Sequence, residues 1–326
     1  MNYYICILFR CMQGFKSKII STIAVLIVSS SLALGQDKMW KTYPYELIGG
    51  FGPSFMLGEL GGGPGVGRNS ILDLDFLSTR FGGCFGLRKT FRERVSWQAT
   101  YTMGMLYGND NKTTEYFRSD RELSFRTPIQ ELSFRLDYKI RKERGGHIYD
   151  LRGVRGQRGR TVSTYCFVGI GVYHFNPKAK LEGSWVALQP IGTEGQNYID
   201  TRKPYSLYQV CIPLGLIAKY TVNKRWTISA EAGLRFLFTD YLDDVSTTYA
   251  NPDLVAQHAP KEVSGTAARL AADPNYVGHC YEDTKEYHYY NEQRGDPNDR
   301  DFYMFLMISA HYKMKQTKDG WPSFRK

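Results

Sequence analysis

Apolar and polar side chains alternate along eight segments of the chain. In the clearest segment, Val95–Gly108, Val95, Trp97 and Tyr101 fall on one side and Gln98 falls on the other. A period of two indicates a β-strand, because the 3.6-residue period of a helix would mix the two sets. The same alternation recurs in seven further segments, which begin near Tyr45, Phe81, Leu132, Tyr165, Tyr208, Trp226 and Phe302. The pattern therefore predicts eight strands between about residues 45 and 313.

The connections between these segments alternate between short and long. Phe91–Arg94 and Val222–Lys224 are short, as periplasmic turns are in bacterial barrels. The connections on the other side are long, as external loops are: Gly58–Ser78, Asn109–Ser124, Asn176–Pro204 and Thr239–Arg300. Arg141–Arg160 is the exception, because it is long where a periplasmic turn is expected. This rhythm predicts an all-β protein, an eight-stranded antiparallel transmembrane β-barrel with long external loops and both termini in the periplasm.

The apolar side of each strand is expected to face lipid. In the fifth strand this assigns Tyr165, Phe167 and Tyr173 to the outside of the barrel. A soluble β-sandwich would show the same alternation, since one face of each strand would pack into its core. Aromatic residues near strand ends and the rhythm of the connections favour the membrane barrel.

The first 35 residues have the features of a secretory signal peptide. Lys16 and Lys18 precede an apolar stretch, Ile19–Leu34, which ends in small residues. We therefore expect cleavage before Gln36 and a single barrel domain over 36–326, ending in a short periplasmic tail. The net charge is +10, and removing residues 1–35 with three basic residues and no acid leaves +7. An exported protein of this charge is expected to meet lipid head groups or acidic partners and no nucleic acid.

Charged residues on the polar sides of the strands are expected to fill the lumen. An eight-stranded barrel is just wide enough inside for side chains. A paired network without an open pore is therefore predicted from Arg80, Arg88, Glu131, Arg135, Asp137, Lys139, Glu231 and Arg235.

Two motifs are candidate binding sites. Gly61–Gly67 resembles a dinucleotide-binding loop but lacks the following helix, which favours a flexible external loop. The acidic stretch Thr239–Ser246 could hold Ca²⁺ through Asp240, Asp243 and Asp244, although turn-shaping hydrogen bonds to the backbone fit its spacing better. We therefore predict no cofactor and no metal.

Histidines, serines and cysteines raise two further questions. His174 near a strand end could serve a lipid-modifying enzyme together with Ser163 or Ser184, but a catalytic triad is recognised by geometry. The mature chain has four cysteines whose disulfide state the sequence leaves open: Cys84, Cys166, Cys211 and Cys280.

The basic connection between the fourth and fifth strands is the predicted partner-binding segment. Its candidate residues are Arg152, Arg155, Arg158 and Arg160. Basic residues on the periplasmic side suit anionic lipid, and arginine is also favoured at protein interfaces, so both partners stay open.

Several stretches resemble the PorG-like family of outer-membrane barrels. They include Arg121–Leu132, Gly169–Ala179, Thr193–Gln196, Tyr208–Gly215 and, as the most specific, Gly233–Ser246 with Asp240, Tyr241, Asp243 and Asp244. The resemblance covers most of Tyr45–Tyr312, whereas the basic connection and the segment 251–300 are not features of its pattern. It implies a component of the type IX secretion system that anchors the periplasmic ring of PorK and PorN to the outer membrane. It implies no catalytic residue; a lipid-modifying enzyme and a passive envelope-stabilising barrel are the alternatives.

Overall fold

The computed structural model is a closed β-barrel with a separately packed group of loops, helices and a hairpin at one end. The structure describes residues 39–58, 60, 78–110, 123–141, 162–223, 225–274, 292–297, 300–317 and 320–323. No helix in these ranges is long and apolar enough to cross a membrane.

Eight antiparallel strands form the barrel, and a short helix, α1 (Met39–Thr42), precedes them. The barrel strands are β1 (Tyr45–Leu57), β2 (Arg80–Arg92), β3 (Val95–Asn109), β4 (Ser124–Arg141), β5 (Val162–Phe175), β8 (Tyr208–Thr221), β9 (Trp226–Leu237) and β10 (Phe302–Gln316). Each strand pairs with its neighbours in the barrel, and pairing of β1 with β10 closes the cylinder without a free edge. The predicted all-β, eight-stranded fold is confirmed.

The connections lie as the sequence predicts at both ends of the barrel. β2 and β3 are joined by two residues, and β8 and β9 by four, at the end where β1 begins and β10 ends. A last short strand, β11 (Pro322–Ser323), pairs with β10 at this turn end. The connections that follow β1, β3, β5 and β9 leave from the opposite end, which we call the loop end.

The outside of the barrel is apolar. Leu132, Ile170 and Phe81 are 62%, 66% and 71% exposed, and similar side chains surround the cylinder. A soluble protein rarely exposes so large a continuous apolar surface. The sandwich alternative is wrong, because the strands close on themselves and no second sheet covers this face in the described part of the chain.

The orientation predicted for β5 is wrong. Tyr165, Phe167 and Tyr173 are nearly fully buried in the lumen, and Val168 and Ile170 face outward instead. The rings inside serve the buried cations: the Arg88 guanidinium lies 4.4 Å from the Tyr165 ring, a cation–π contact. Because both sides of β5 are apolar, alternation of polarity cannot show which side faces lipid.

The connection between β5 and β8, predicted as an external loop, contains a hairpin. Its strands are β6 (Lys178–Leu181) and β7 (Ser184–Ala187), and β6 pairs with the extended loop end of β4. Two helices follow β9: α2 (Pro252–His258) and α3 (Gly265–Ala272). Buried residues from the hairpin, the loops and both helices form a separate core: Leu181, Leu188, Ile191, Ala250, Val255, Ala267, Ala268, Ala271 and Ala272. We call this assembly the cap.

Candidate functional site

A bidentate ion pair crosses the middle of the lumen. Arg135 on β4 donates from Nη1 and Nη2 to the two carboxylate oxygens of Glu231 on β9, each at 2.6 Å. The Arg135 Nε lies 3.4 Å from Asp137 Oδ1, and its guanidinium lies 4.1 Å from the Phe167 ring. Two parallel charge-assisted hydrogen bonds fix both side chains and link two strands that are not neighbours in the barrel.

A second cluster fills the turn end of the lumen. The Lys219 ammonium donates to Glu46 Oε2 at 2.7 Å, and His311 Nδ1 lies 3.0 Å from the same oxygen. Arg88 bridges Glu46 and Asp137, with N···O distances of 3.7 and 3.2 Å. This cluster therefore joins β1, β2, β4, β8 and β10.

The loop-side part of the lumen changes from ion pairs to aromatic rings. Arg235 Nε donates to Glu131 Oε2 at 3.0 Å, and the Tyr303 hydroxyl donates to the same oxygen at 2.9 Å. Beyond them lies a plug of buried rings and aliphatic chains, including Phe125, Tyr173, Phe175, Tyr303 and Phe305. The Phe305 ring packs against two paired glycines, because a Cβ added at Gly104 would lie 2.8 Å from the ring and one added at Gly82 would lie 3.2 Å from it.

Six of the eight residues predicted for the lumen network meet there: Arg88, Glu131, Arg135, Asp137, Glu231 and Arg235. Arg80 does not join them, because it lies at the outer rim with its guanidinium 4.3 Å from the Tyr107 ring. Lys139 is half-buried near Tyr165 at the turn end. The prediction did not include Glu46, Lys219 and His311, although all three lie on the lumen-facing side of their strands.

The ion-paired charges of the lumen balance. Its described residues supply four cations, Arg88, Arg135, Lys219 and Arg235, and four carboxylates, Glu46, Glu131, Asp137 and Glu231. All these side chains are nine-tenths buried or close to it, and each contacts an opposite charge. The paired charges and the ring plug leave this lumen as a packed interior.

The cap contains the second polar cluster, centred on Asp244. Its Oδ2 accepts from Thr193 Oγ1 and its Oδ1 from the Tyr205 hydroxyl, both at 2.6 Å. Arg294 Nη1 donates to the Asp244 carbonyl at 3.0 Å and to Glu194 Oε1 at 3.3 Å. Burial raises the pKa of Asp244 to about 6, against the lowering effects of the Arg294 charge and the two hydroxyl donors.

The other residues of the acidic stretch shape the cap. Asp243 accepts from the Val245 amide at 3.1 Å and from the Leu60 amide at 3.2 Å, so its carboxylate ties a turn to the barrel mouth. The Tyr241 ring stacks on Tyr205 at 4.8 Å, and burial raises the pKa of Tyr241 to about 12. Asp240 is buried. The described residues contain no group of three side chains arranged to hold a metal.

The cap brings together two of the stretches that carry the family resemblance. Glu194 from Thr193–Gln196 accepts from the Ser246 amide at 2.9 Å and from Thr247 Oγ1 at 2.7 Å. Thr193 reaches Asp244 directly. Two of the five stretches therefore form one folded cluster, in which the contacting residues lie 51 and 52 positions apart in sequence.

The structure gives His174 no hydroxyl partner within the described ranges; its ring contacts Tyr208 at 4.7 Å. Ser163 is buried at the other end of β5, about 36 Å away at the usual rise per residue, so it cannot pair with His174. Cys84, Cys166 and Cys211 are free thiols.

Several predicted features lie outside the described residues. They are the signal peptide 1–35, the loop Gly61–Gly67, Cys280 and the basic residues Arg152, Arg155, Arg158 and Arg160.

The fold of the chain is similar to those of solved outer-membrane barrels, although the sequence identity is low. Neisserial surface protein A has a TM-score of 0.38 at 7% identity, with 82% of this chain and 96% of that chain covered. Ail of Yersinia pestis has a TM-score of 0.36 at 8% identity, with 83% and 99% covered. OprG of Pseudomonas aeruginosa has a TM-score of 0.34 at 9% identity, with 86% and 100% covered.

The sequence matches no curated protein. A family described as a domain of unknown function, DUF6089, matches residues 81–254, which include β2 to β9 and the polar cluster of the cap up to α2. Because this match covers more than half of the chain, the protein belongs to the DUF6089 family.

Proposed function

We propose that the protein is an outer-membrane barrel that anchors a periplasmic ring of the type IX secretion machinery, with proteins like PorK and PorN as partners. The apolar exterior supports placement in a membrane, and a closed barrel can cross one because every backbone group is paired. The anchoring role is supported by the resemblance to the PorG-like family. Two of its stretches meet in the cap, where Thr193 donates to Asp244 and Glu194 accepts from Arg294.

The packed lumen favours the role of an anchor and argues against the role of a channel. Paired charges and rings fill the interior, so the external loops, turns and tail are the parts available to partners. In this proposal the chain has no catalytic step and no cofactor. Its ring contact is assigned to the basic connection of the turn end, with Arg152, Arg155, Arg158 and Arg160.

The test is affinity purification of the tagged protein from detergent-solubilised outer membranes. Ring proteins should be recovered with the wild type and lost when those four arginines are changed to glutamine. The matched control changes four lysines of the loop end, Lys178, Lys180, Lys203 and Lys261, to glutamine and should leave recovery unchanged. Recovery of no ring protein with the wild type would favour a passive envelope barrel and reject the anchoring role.

A further inference from the structure

A row of cations and aromatic rings runs along the outer rim of the barrel at the loop end. Tyr107 on β3 pairs with Arg126 on β4, and Arg126 pairs with Lys178 at the start of β6. The Arg80 guanidinium lies 4.3 Å from the Tyr107 ring, and that of Arg126 lies 3.7 Å from the Trp185 ring. We call this set, completed by Lys180 opposite Trp185 in the hairpin, the rim row.

The cations of the rim row lack acidic partners within the described part of the chain. Arg80, Arg126, Lys178 and Lys180 make no ion pair there, and Glu182 of the same hairpin accepts from Ser264 of the cap at 2.6 Å. In the lumen, by contrast, every cation contacts a carboxylate. An unbalanced positive row at an apolar edge attracts anions.

The position of the row matches the level of lipid head groups. The outer face of β3 and β4 runs from the Val95–Tyr138 pair to the Met105–Pro128 pair and is apolar except at Gln130, whose side-chain oxygen accepts from the Tyr101 hydroxyl at 3.0 Å. The Tyr107–Arg126 pair follows directly. Ten residues at a rise of about 3.4 Å and a tilt of about 40° span about 26 Å, close to the apolar height of such barrels. The rim row therefore begins where hydrocarbon ends.

We propose that the rim row binds the phosphorylated head group of an outer-leaflet glycolipid of the lipid A type. This rests on the outer-membrane placement proposed above and adds a lipid class and a site. The Arg126 guanidinium lies over the Trp185 ring, and its N–H groups can donate to a phosphate in a bidentate manner. Tyr107 and Trp185 suit the interface, and the two lysines add positive charge near the same phosphate.

The experiment is native mass spectrometry of the full chain in detergent, titrated with diphosphoryl lipid A. The rim variant carries Arg126→Gln, Lys178→Gln and Lys180→Gln. The control variant loses the same charge at the turn end through Lys89→Gln, Arg92→Gln and Arg141→Gln. A heat-modifiable gel band shows that each barrel has folded.

We expect wild type and control to bind diphosphoryl lipid A at least about 10-fold more tightly than the rim variant. Dephosphorylated lipid A should not distinguish wild type from the rim variant. Equal binding of diphosphoryl lipid A by these two proteins would overturn the proposal. Displacement of the lipid by low-millimolar inorganic phosphate would overturn the lipid assignment in favour of a free-anion site. Ring recovery by the rim variant is a separate readout and should be unchanged, so failure of the anchoring role and failure of this inference remain distinguishable.

Discussion

At the scale of single residues, the Arg135–Glu231 pair tests whether the lumen contributes to stability. Glu231→Gln removes the carboxylate and leaves a buried guanidinium without its bidentate partner. We expect a loss of about 3 kcal/mol in the free energy of unfolding, measured by denaturant titration in lipid bilayers. Asp253→Asn is the matched control, because the Arg269–Asp253 pair in the cap has a similar distance of 2.7 Å but is 34% and 47% exposed. That control should change stability by less than about 1 kcal/mol, and an equal loss in both variants would contradict a structural role for the lumen pair.

Asp244 makes the stability of the cap depend on pH. Its pKa of about 6 in the folded cap lies above the ordinary value of 3.8, because the carboxyl is buried. Between these values the folded state binds more protons than the unfolded state, so cap stability should fall as pH rises from about 4 to about 6 and level off above. Hydrogen-exchange protection factors across the cap measure this fall. Asp244→Asn, which tolerates the positive φ of this position, should abolish the slope; a slope that persists would assign it to another group.

The sequence predicts which residues face the lumen only where the two sides of a strand differ in polarity. Glu231 and Arg235 could be assigned to the lumen from alternation, because polar and apolar sides differ on β9. On β5 both sides are apolar, because the rings that contact buried arginines are as apolar as side chains that face lipid. Alternation therefore predicts the wrong orientation for this strand. Partners such as Glu46 and His311 are 265 residues apart, and no local pattern reveals their contact.

At the scale of elements, the cap contains two helices and a hairpin with local sequence signals. Asn251 caps α2 with Pro252 at its start, and Ser264 caps α3, so both helices carry ordinary start signals. The hairpin turns at Glu182 and Gly183, both with positive φ. What local signals do not give is the packing of α3 against β6, which depends on alanines that allow close approach.

The cap should be destabilised by a substitution in its own core without unfolding of the barrel. Ala268 is fully buried on α3, and Ala268→Leu overfills its site, which typically costs about 1–3 kcal/mol. We expect faster proteolysis of the cap with an unchanged heat-modifiable shift of the barrel, because the cap has its own cluster of buried residues. Thr266→Leu on the exposed side of the same helix is the control and should leave proteolysis unchanged. A parallel loss of the barrel shift would show that cap and barrel unfold as one unit.

At the scale of the whole molecule, the connections determine orientation. β1 begins and β10 ends at the turn end, and the cap lies at the loop end, so a tag at the C-terminus and a tag in the cap should lie on opposite sides of the membrane. An epitope inserted after Lys261, in the exposed turn between α2 and α3, should bind antibody on intact cells. An epitope appended to the C-terminus should bind only after the outer membrane is permeabilised, because the turn end faces the periplasm in the proposed orientation. The opposite labelling would place the rim row at the inner leaflet and the basic connection outside the cell, where it could not reach a periplasmic ring.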